Sequence, residues 1–363
     1  MDAARIAFLD DDHVMKLARL LLAAEGDEDE RWIRTFFAPE PLDLDAALAL
    51  GSGLRRRDGA SVALASGGEG SDAARAGANV LMFRRGRVTR ELLDACPDVR
   101  LVQRLGADPG GIDVAAAAER GIEVSCLPRR TLAFAAEHAM ALMLALAKRL
   151  VSADRAVRAG VGADEPRRGD DGSAYNWAGL EVDGLIGRTL GLVGCGEIGG
   201  LVARRAAAFG MRVLYADTNA LSPAREQALG VERRSLAELF EEADVVSVHV
   251  PGVPANAGLV GAAELARMRP GAWLVNTSRG TVVDEDALYA ALAGGRLAGA
   301  GLDVHAQEPR PPSDRFCQLE NVVLTPHVSG GSRKGVLFEI GQLYENLRAV
   351  LAGGRALHGR VEP

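Results

Sequence analysis

The run Thr189-Leu190-Gly191-Leu192-Val193 leads directly into Gly194-Cys195-Gly196-Glu197-Ile198-Gly199, and Asp217 follows 18 residues after the last glycine. An apolar strand that feeds a G-x-G-x-x-G turn and then a helix is the opening unit of a dinucleotide fold. Gly194 permits the tight turn, Gly196 lets backbone meet a pyrophosphate, and Gly199 lets the helix pack close on the strand, while the helix N-terminus receives the anion. A bare glycine pattern also arises in ordinary turns. The strand before it, the helix after it and an acid closing the second strand make this one specific. A carboxylate at Asp217 accepts hydrogen bonds from ribose hydroxyls and repels a 2'-phosphate. Thr218-Asn219 bring no arginine beside it, so NAD is expected over NADP. Cys195 reads as a small buried filler of the turn.

Outward from this unit, short apolar runs alternate with Ala- and Leu-rich stretches, which predicts an α/β protein with parallel sheets. Strands are expected at 212–216, 245–250, 272–277, 299–304 and 322–325 on the C-terminal side, and at 5–9, 79–83 and 100–104 on the N-terminal side. One long helix over 132–159, apolar nearly all round from Ala139 to Ala147, is the expected crossing element between domains. The Gly-, Ser- and Arg-rich stretch 51–77 predicts loops around one added strand at 61–65, and the polar stretch 160–176 an exposed loop.

A chain of 363 residues, at about 150 per domain, predicts two domains. Hydrophobic residues at 48% and charged residues at 25% exclude disordered and fibrous classes. The formal net charge of -7 offers no basic field to gather phosphates, so neither nucleic acid nor an anionic membrane is an expected partner, and a small ligand is. Cys96, Cys126, Cys195 and Cys317 are far apart with no CxxC pair, which predicts reduced thiols and no metal site. The longest apolar runs, such as 139–147, read as too short to cross a bilayer, and the acidic start of the chain is unlike a signal peptide. A cytoplasmic protein is expected.

Three polar groups follow strands in the second half: Arg279 after Val275-Asn276-Thr277-Ser278, Glu308 after Asp303-Val304-His305, and His327 after Leu324-Thr325-Pro326. Carboxyl ends of strands are where open α/β sheets bind ligands. Interconverting an alcohol and a carbonyl on an acidic substrate needs a cation for the carboxylate, a base for the hydroxyl proton, and an acid that orients the base and raises its affinity for protons. Arg, His and Glu are those types.

The ordered set Asn276-Thr277-Ser278-Arg279-Gly280, Gly301-Leu302-Asp303-Val304 with Glu308-Pro309, and Thr325-Pro326-His327 closely resembles the signatures of the D-isomer-specific 2-hydroxyacid dehydrogenase family. The resemblance runs from about Asn79 to Val361 and includes Ala136-Glu137-His138 and His249-Val250-Pro251; the first 78 residues match only loosely. It implies two Rossmann-like domains flanking a cleft: a flavodoxin-like substrate-binding domain from 1–128 plus 327–363, and an NAD-binding domain over 129–326. It also implies a homodimer. By the same resemblance His327 is the general acid/base, Glu308 its partner, and Arg279 the residue that binds and polarises the 2-oxo acid. Asp303 would hold the nicotinamide carboxamide, Glu197 and Ile198 would touch the pyrophosphate, and Val250, Pro251, Thr277, Ser278 and Gly330 would line the cofactor. Backbone amides of Gly106, Ala107 and Asp108 would receive the substrate carboxylate.

Helix spacing places His138 among apolar groups, so it reads as a packed structural histidine. Arg104, Arg129 and Arg130 lie beside the substrate loop and either read a second acidic group or are solvated charges. Two places depart from the family pattern. The substrate loop reads Gly106-Ala107-Asp108-Pro109-Gly110, which puts a carboxylate where a glycine is usual and should repel an anionic substrate unless an arginine compensates. After Pro251, Gly252-Val253 replaces the frequent Leu-Thr, which is expected to loosen one wall of the cofactor cleft. The expected activity is NAD-dependent interconversion of a D-2-hydroxy acid and its 2-oxo acid, with glyoxylate or hydroxypyruvate reduction leading. The competing expectation is an NAD(H)-sensing binding protein similar to the C-terminal-binding-protein corepressors.

Overall fold

The computed structural model describes residues 4–23, 26–38, 40–52, 54, 61–65, 71–161, 176 and 178–362. The chain divides into two compact units, Met1–Thr131 with Ser332–Pro363, and Leu132–Gly331.

The first unit is built on five parallel strands, β1 (Arg5–Phe8), β2 (Ser61–Leu64), β3 (Val80–Phe83), β4 (Leu101–Leu105) and β5 (Glu123–Leu127), in the order β2-β1-β3-β4-β5. This is the flavodoxin-like order. The strand expected at 61–65 is present and sits at the edge of the sheet, beside β1. Helices Asp27–Phe37 and Leu44–Ala49 add to the N-terminal part, and Ser71–Ala76 is a helix within the stretch expected to be loops. One face of the sheet is covered by the helices His13–Ala23 and Gly335–Leu351. Leu17 and Leu21 from the first, and Ile340, Leu343 and Leu347 from the second, pack with Phe8, Met82 and Leu101. The C-terminal segment thus supplies core that the N-terminal sheet lacks. Buried apolar contact is the main favourable term in such packing, so the long sequence separation is no obstacle.

The second unit holds seven parallel strands: β6 (Thr189–Val193), β7 (Arg212–Ala216), β8 (Val231–Arg233), β9 (Val245–Val248), β10 (Trp273–Asn276), β11 (Gly299–Leu302) and β12 (Val322–Leu324). Their order is β12-β11-β10-β9-β6-β7-β8. The order reverses between β6 and β9, and ligands of open α/β sheets bind outside the strand ends at such a switch point. Strands β9 to β12 stop one or two residues earlier than expected, and the freed ends carry Val250, Thr277 and Asp303. The short edge strand β8, with charged Glu232 and Arg233, has no apolar run by which sequence could reveal it.

The long helix expected over 132–159 is two helices, Arg130–Ala147 and Leu150–Arg158, broken at Arg149, whose backbone is left-handed (φ 48°). The burial pattern explains the break. Ala136, Ala139, Met140, Leu142, Met143 and Ala147 enter the core of the second unit, whereas no residue of Leu150–Arg158 is buried. At 18 residues, Arg130–Ala147 is the one helix among the described residues long and apolar enough, by length and composition, to cross a membrane. Its apolar side is accounted for by that core. Most of the loop expected over 160–176 lies outside the described residues.

Candidate active site

At the end of β6 the glycine turn has the geometry its residues require. Gly194 has φ +92°, and a β-carbon there would press on the His249 carbonyl and the Val250 side chain. A β-carbon on Gly199 would overlap the Gly194 carbonyl oxygen, so helix Glu197–Ala208 approaches the strand only because residue 199 is glycine. Gly196 instead faces open space. A cavity of about 800 Å³ opens there, lined by Gly194, Gly196, Asp217, Val250, Pro251 and Arg233 among others. Ile198 is half-buried against the core beneath the turn.

Asp217 closes β7 with both oxygens engaged: Oδ2 accepts the Cys195 amide at 2.9 Å and Oδ1 the Asn219 amide at 3.0 Å. The carboxylate therefore braces the glycine turn as well as lining the cavity. The surroundings of Asp217 are not free of arginine, as its sequence neighbours suggest. Arg233 from β8 donates to the Asp217 carbonyl at 3.3 Å, because the sheet order sets β8 beside β7. Burial, with Asp217 nearby, pushes the Cys195 thiol up to about 11, so it is an inert filler at neutral pH.

Beyond the turn, Asn276 caps the end of β10. Its Oδ1 accepts the Ser278 amide at 3.0 Å and the Ser278 hydroxyl at 2.8 Å, and its Nδ2 donates to the Arg279 carbonyl at 3.0 Å. Thr277 Oγ1 is buried with no partner among the described residues. Gly330 faces open space. A glycine cradle, an adjoining cavity, a carboxylate at the second strand and an orphaned hydroxyl fit a dinucleotide.

The three polar residues leave neighbouring strands: Arg279 after β10, Glu308 after β11 and His327 after β12. His327 Nδ1 lies 2.8 Å from Glu308 Oε2, with both side chains partly exposed. Glu308 Oε1 accepts the His305 amide at 3.0 Å, so one oxygen anchors the carboxylate and the other holds the imidazole. Burial pushes the Glu308 carboxyl up, but the His327 ring and the His305 amide outweigh it and hold the carboxyl below its usual range. An ionised carboxylate only accepts, so the proton of neutral His327 sits on Nδ1 and Nε2 is left to exchange protons with a ligand.

Arg310 steadies this loop. Its Nε donates to His305 Nδ1 at 3.0 Å and its Nη1 to Asp314 at 2.8 Å, and it also pairs with Glu285. His305 Nε2 in turn donates to the Thr325 carbonyl at 2.9 Å. Arg279 Nη1 donates to the Ser278 carbonyl at 2.6 Å, and its stem lies on Gly252, where a β-carbon would overlap Arg279 Cγ. The departure at Gly252 therefore loosens no wall; it makes room for the arginine. Gly252→Ala should cost about 1 to 3 kcal/mol of stability through that overlap, a lowered melting temperature in a thermal scan being the readout and an unchanged one the contradiction.

Asp303 differs from its expected place. The carboxylate assigned to the nicotinamide carboxamide is turned inward with no exposed surface, because Val328 N, Ser329 N and Thr325 Oγ1 all donate to it at 2.6 to 2.9 Å. His138, expected among apolar groups, has Nε2 2.9 Å from Thr325 Oγ1. Its helix position gave no hint of a polar partner 187 residues away.

In the first unit, the loop after β4 is partly committed. The Gly106 amide donates to the Leu127 carbonyl at 2.8 Å and so is not a donor for a substrate carboxylate, which corrects that expectation. Asp108 Oδ1 accepts the Gly110 amide at 2.8 Å, and Arg104 donates to the Asp108 carbonyl at 2.5 Å, bringing the compensating cation to the loop. Arg129 lies 3.5 Å from fully buried Glu339, which also accepts the Thr131 amide at 2.9 Å and its hydroxyl at 2.8 Å, so Arg129 is structural. Arg130 stacks over Phe338.

A parallel sheet with a glycine phosphate turn, joined to an imidazole–carboxylate pair at neighbouring strand ends, defines a nicotinamide-dependent oxidoreductase. Residues 140–329 match the model of the D-isomer specific 2-hydroxyacid dehydrogenase NAD-binding domain. The chain is 43% identical to a glyoxylate reductase of Korarchaeum cryptofilum over 73% of its own length and 77% of that protein's. It is 39% identical to the D-3-phosphoglycerate dehydrogenase of Mycobacterium bovis over 73% of its length, but spans about half, 48%, of that relative. Among solved structures, the NADPH-dependent glyoxylate/hydroxypyruvate reductase of Sinorhizobium meliloti superposes with a TM-score of 0.53 at 28% identity, covering 99% of this chain and 97% of that one. The chain belongs to the D-isomer specific 2-hydroxyacid dehydrogenase family. It is an NAD-dependent oxidoreductase of small 2-hydroxy and 2-oxo acids.

Proposed function

We propose that the protein reduces a short 2-oxo acid, with glyoxylate and hydroxypyruvate the leading candidates, to its D-2-hydroxy acid. The observation that carries the reading is the 2.8 Å pair of His327 and Glu308 at the strand ends of the NAD-binding unit. Bound NADH supplies the hydride. Arg279 holds the substrate carboxylate and polarises the carbonyl, and protonated His327 donates from Nε2 to the oxygen that becomes the alcohol. Glu308 keeps the ring oriented and stabilises its protonated form. The backbone turn Gly194–Gly199 takes the pyrophosphate, Asp217 the adenosine ribose, and Val250, Pro251, Thr277, Ser278 and Gly330 line the remaining cofactor. We assign the substrate-binding role to the first unit, through Ala107 and Asp108 of its loop.

A homodimer in the cytoplasm, without nucleic acid or membrane, completes the proposal. Helix Leu150–Arg158 supports the dimer, because it exposes Leu150, Val151 and Val157, apolar surface that a second copy would cover. Sedimentation as a monomer would remove that part.

The deciding experiment is a panel of 2-oxo acids added to enzyme and NADH, followed by loss of absorbance at the nicotinamide band. Turnover with glyoxylate or hydroxypyruvate exceeding that with bulkier 2-oxo acids is expected. NADH binding without turnover across the panel would favour the NAD(H)-sensing alternative.

A further inference from the structure

We infer that His138, on the helix Arg130–Ala147, is a positioning residue for the acid/base, holding through Thr325 and Asp303 the turn that presents His327; this rests on the role proposed above for His327.

The chain of contacts runs inward from the helix. His138 Nε2 lies 2.9 Å from Thr325 Oγ1, and the Thr325 hydroxyl donates to Asp303 Oδ1 at 2.6 Å. A hydroxyl has one proton. Since Thr325 gives it to the carboxylate, its oxygen can only accept from the ring, which places a proton on His138 Nε2. The same nitrogen is 3.4 Å from Asp303 Oδ1. Asp303 passes the constraint to the catalytic turn: its carbonyl accepts the His327 amide at 2.8 Å, Oδ1 the Val328 amide at 2.9 Å and Oδ2 the Ser329 amide at 2.8 Å. Three consecutive amides of the turn thus end on one residue.

His327 needs such a clamp because its backbone is left-handed, with φ 55°, a conformation that a β-carbon disfavours and that persists only when the surroundings over-determine it. The clamp also needs Asp303 as an anion, since a protonated carboxyl gives up acceptor capacity. Burial pushes the Asp303 carboxyl up, but the hydrogen bonds from His138, Thr325, Val328 and Ser329 outweigh it and keep it well below the usual carboxylate range. Thr325 is the joint of the assembly. Its carbonyl takes the His305 ring proton, and the His305 amide holds Glu308, so both halves of the catalytic pair are referenced to the residue that His138 touches.

The test compares His138→Ala, His138→Gln and Thr325→Val with His327→Ala in the full chain. It reads kcat and KM for the best 2-oxo acid, NADH dissociation constants by fluorescence titration, and thermal melting. His138→Ala and Thr325→Val are expected to lower kcat about 10- to 100-fold, the cost of misplacing a reacting group by an ångström or less, with NADH affinity within twofold. His138→Gln, whose amide can donate to the same hydroxyl, is expected to recover most of that loss. A His138→Ala enzyme with kcat within twofold of the parent, or a Gln variant as impaired as Ala, overturns the inference. If His138→Ala fails to fold, Thr325→Val is judged by the same kcat criterion. Loss in His327→Ala with none in His138→Ala would sink the inference alone, whereas full turnover by His327→Ala would remove the acid/base reading and the inference with it.

Discussion

His327→Ala is expected to cost about 10²- to 10⁴-fold in turnover, the range for loss of a general acid/base, with NADH affinity nearly unchanged. The geometry gives no substitute. Glu308 stays tied to the His305 amide through Oε1, and without the ring no imidazole nitrogen remains between it and the ligand. Because the Glu308 carboxyl is held below its usual range, its support of the ring survives mild acid and is lost only as pH drops through that lowered value. Steady-state rates of His327→Ala beside the parent, with chemistry shown to limit them, check the assignment, and full turnover by the variant would contradict it.

Gly199→Ala should remove most NADH binding and lower thermal stability together. The added carbon would overlap the carbonyl of Gly194, a backbone atom that cannot rotate away, and Gly194 is itself pinned by its amide to the Ala216 carbonyl at 2.8 Å. Overpacking of this kind costs about 1 to 3 kcal/mol, and here the relief is a shift of the helix that carries the phosphate-binding amides. NADH affinity should fall at least tenfold. Gly196→Ala is the contrast: its new carbon meets open space, so stability should hold while the pyrophosphate loses its closest approach. Calorimetric titration and melting curves of the two variants decide the matter, and a Gly199→Ala protein with parent-like affinity would refute the packing argument.

Legibility followed the range of the interactions involved. Thr189–Val193, the glycine turn and Asp217 were readable because strand pattern, turn chemistry and helix start are all local properties. Leu150–Arg158 reads as one helix with the preceding residues because local apolar content persists across Arg149, and only burial separates the two. The edge strand β8 was invisible because an edge need not be apolar.

The amino-acid order alone determined the parallel α/β architecture, the dinucleotide turn, and the residue types that end the strands. Whether those residues meet was decided by the sheet order, which sets β10, β11 and β12 side by side and β8 against β7. That order pairs Glu308 with His327, brings Arg233 to Asp217, and turns Asp303 inward beneath Thr325 and His138, while in the other sheet β5 beside β4 commits the Gly106 amide to Leu127. Hydrogen bonds form between groups within about 3 Å however far apart they stand along the chain, so no local pattern records them.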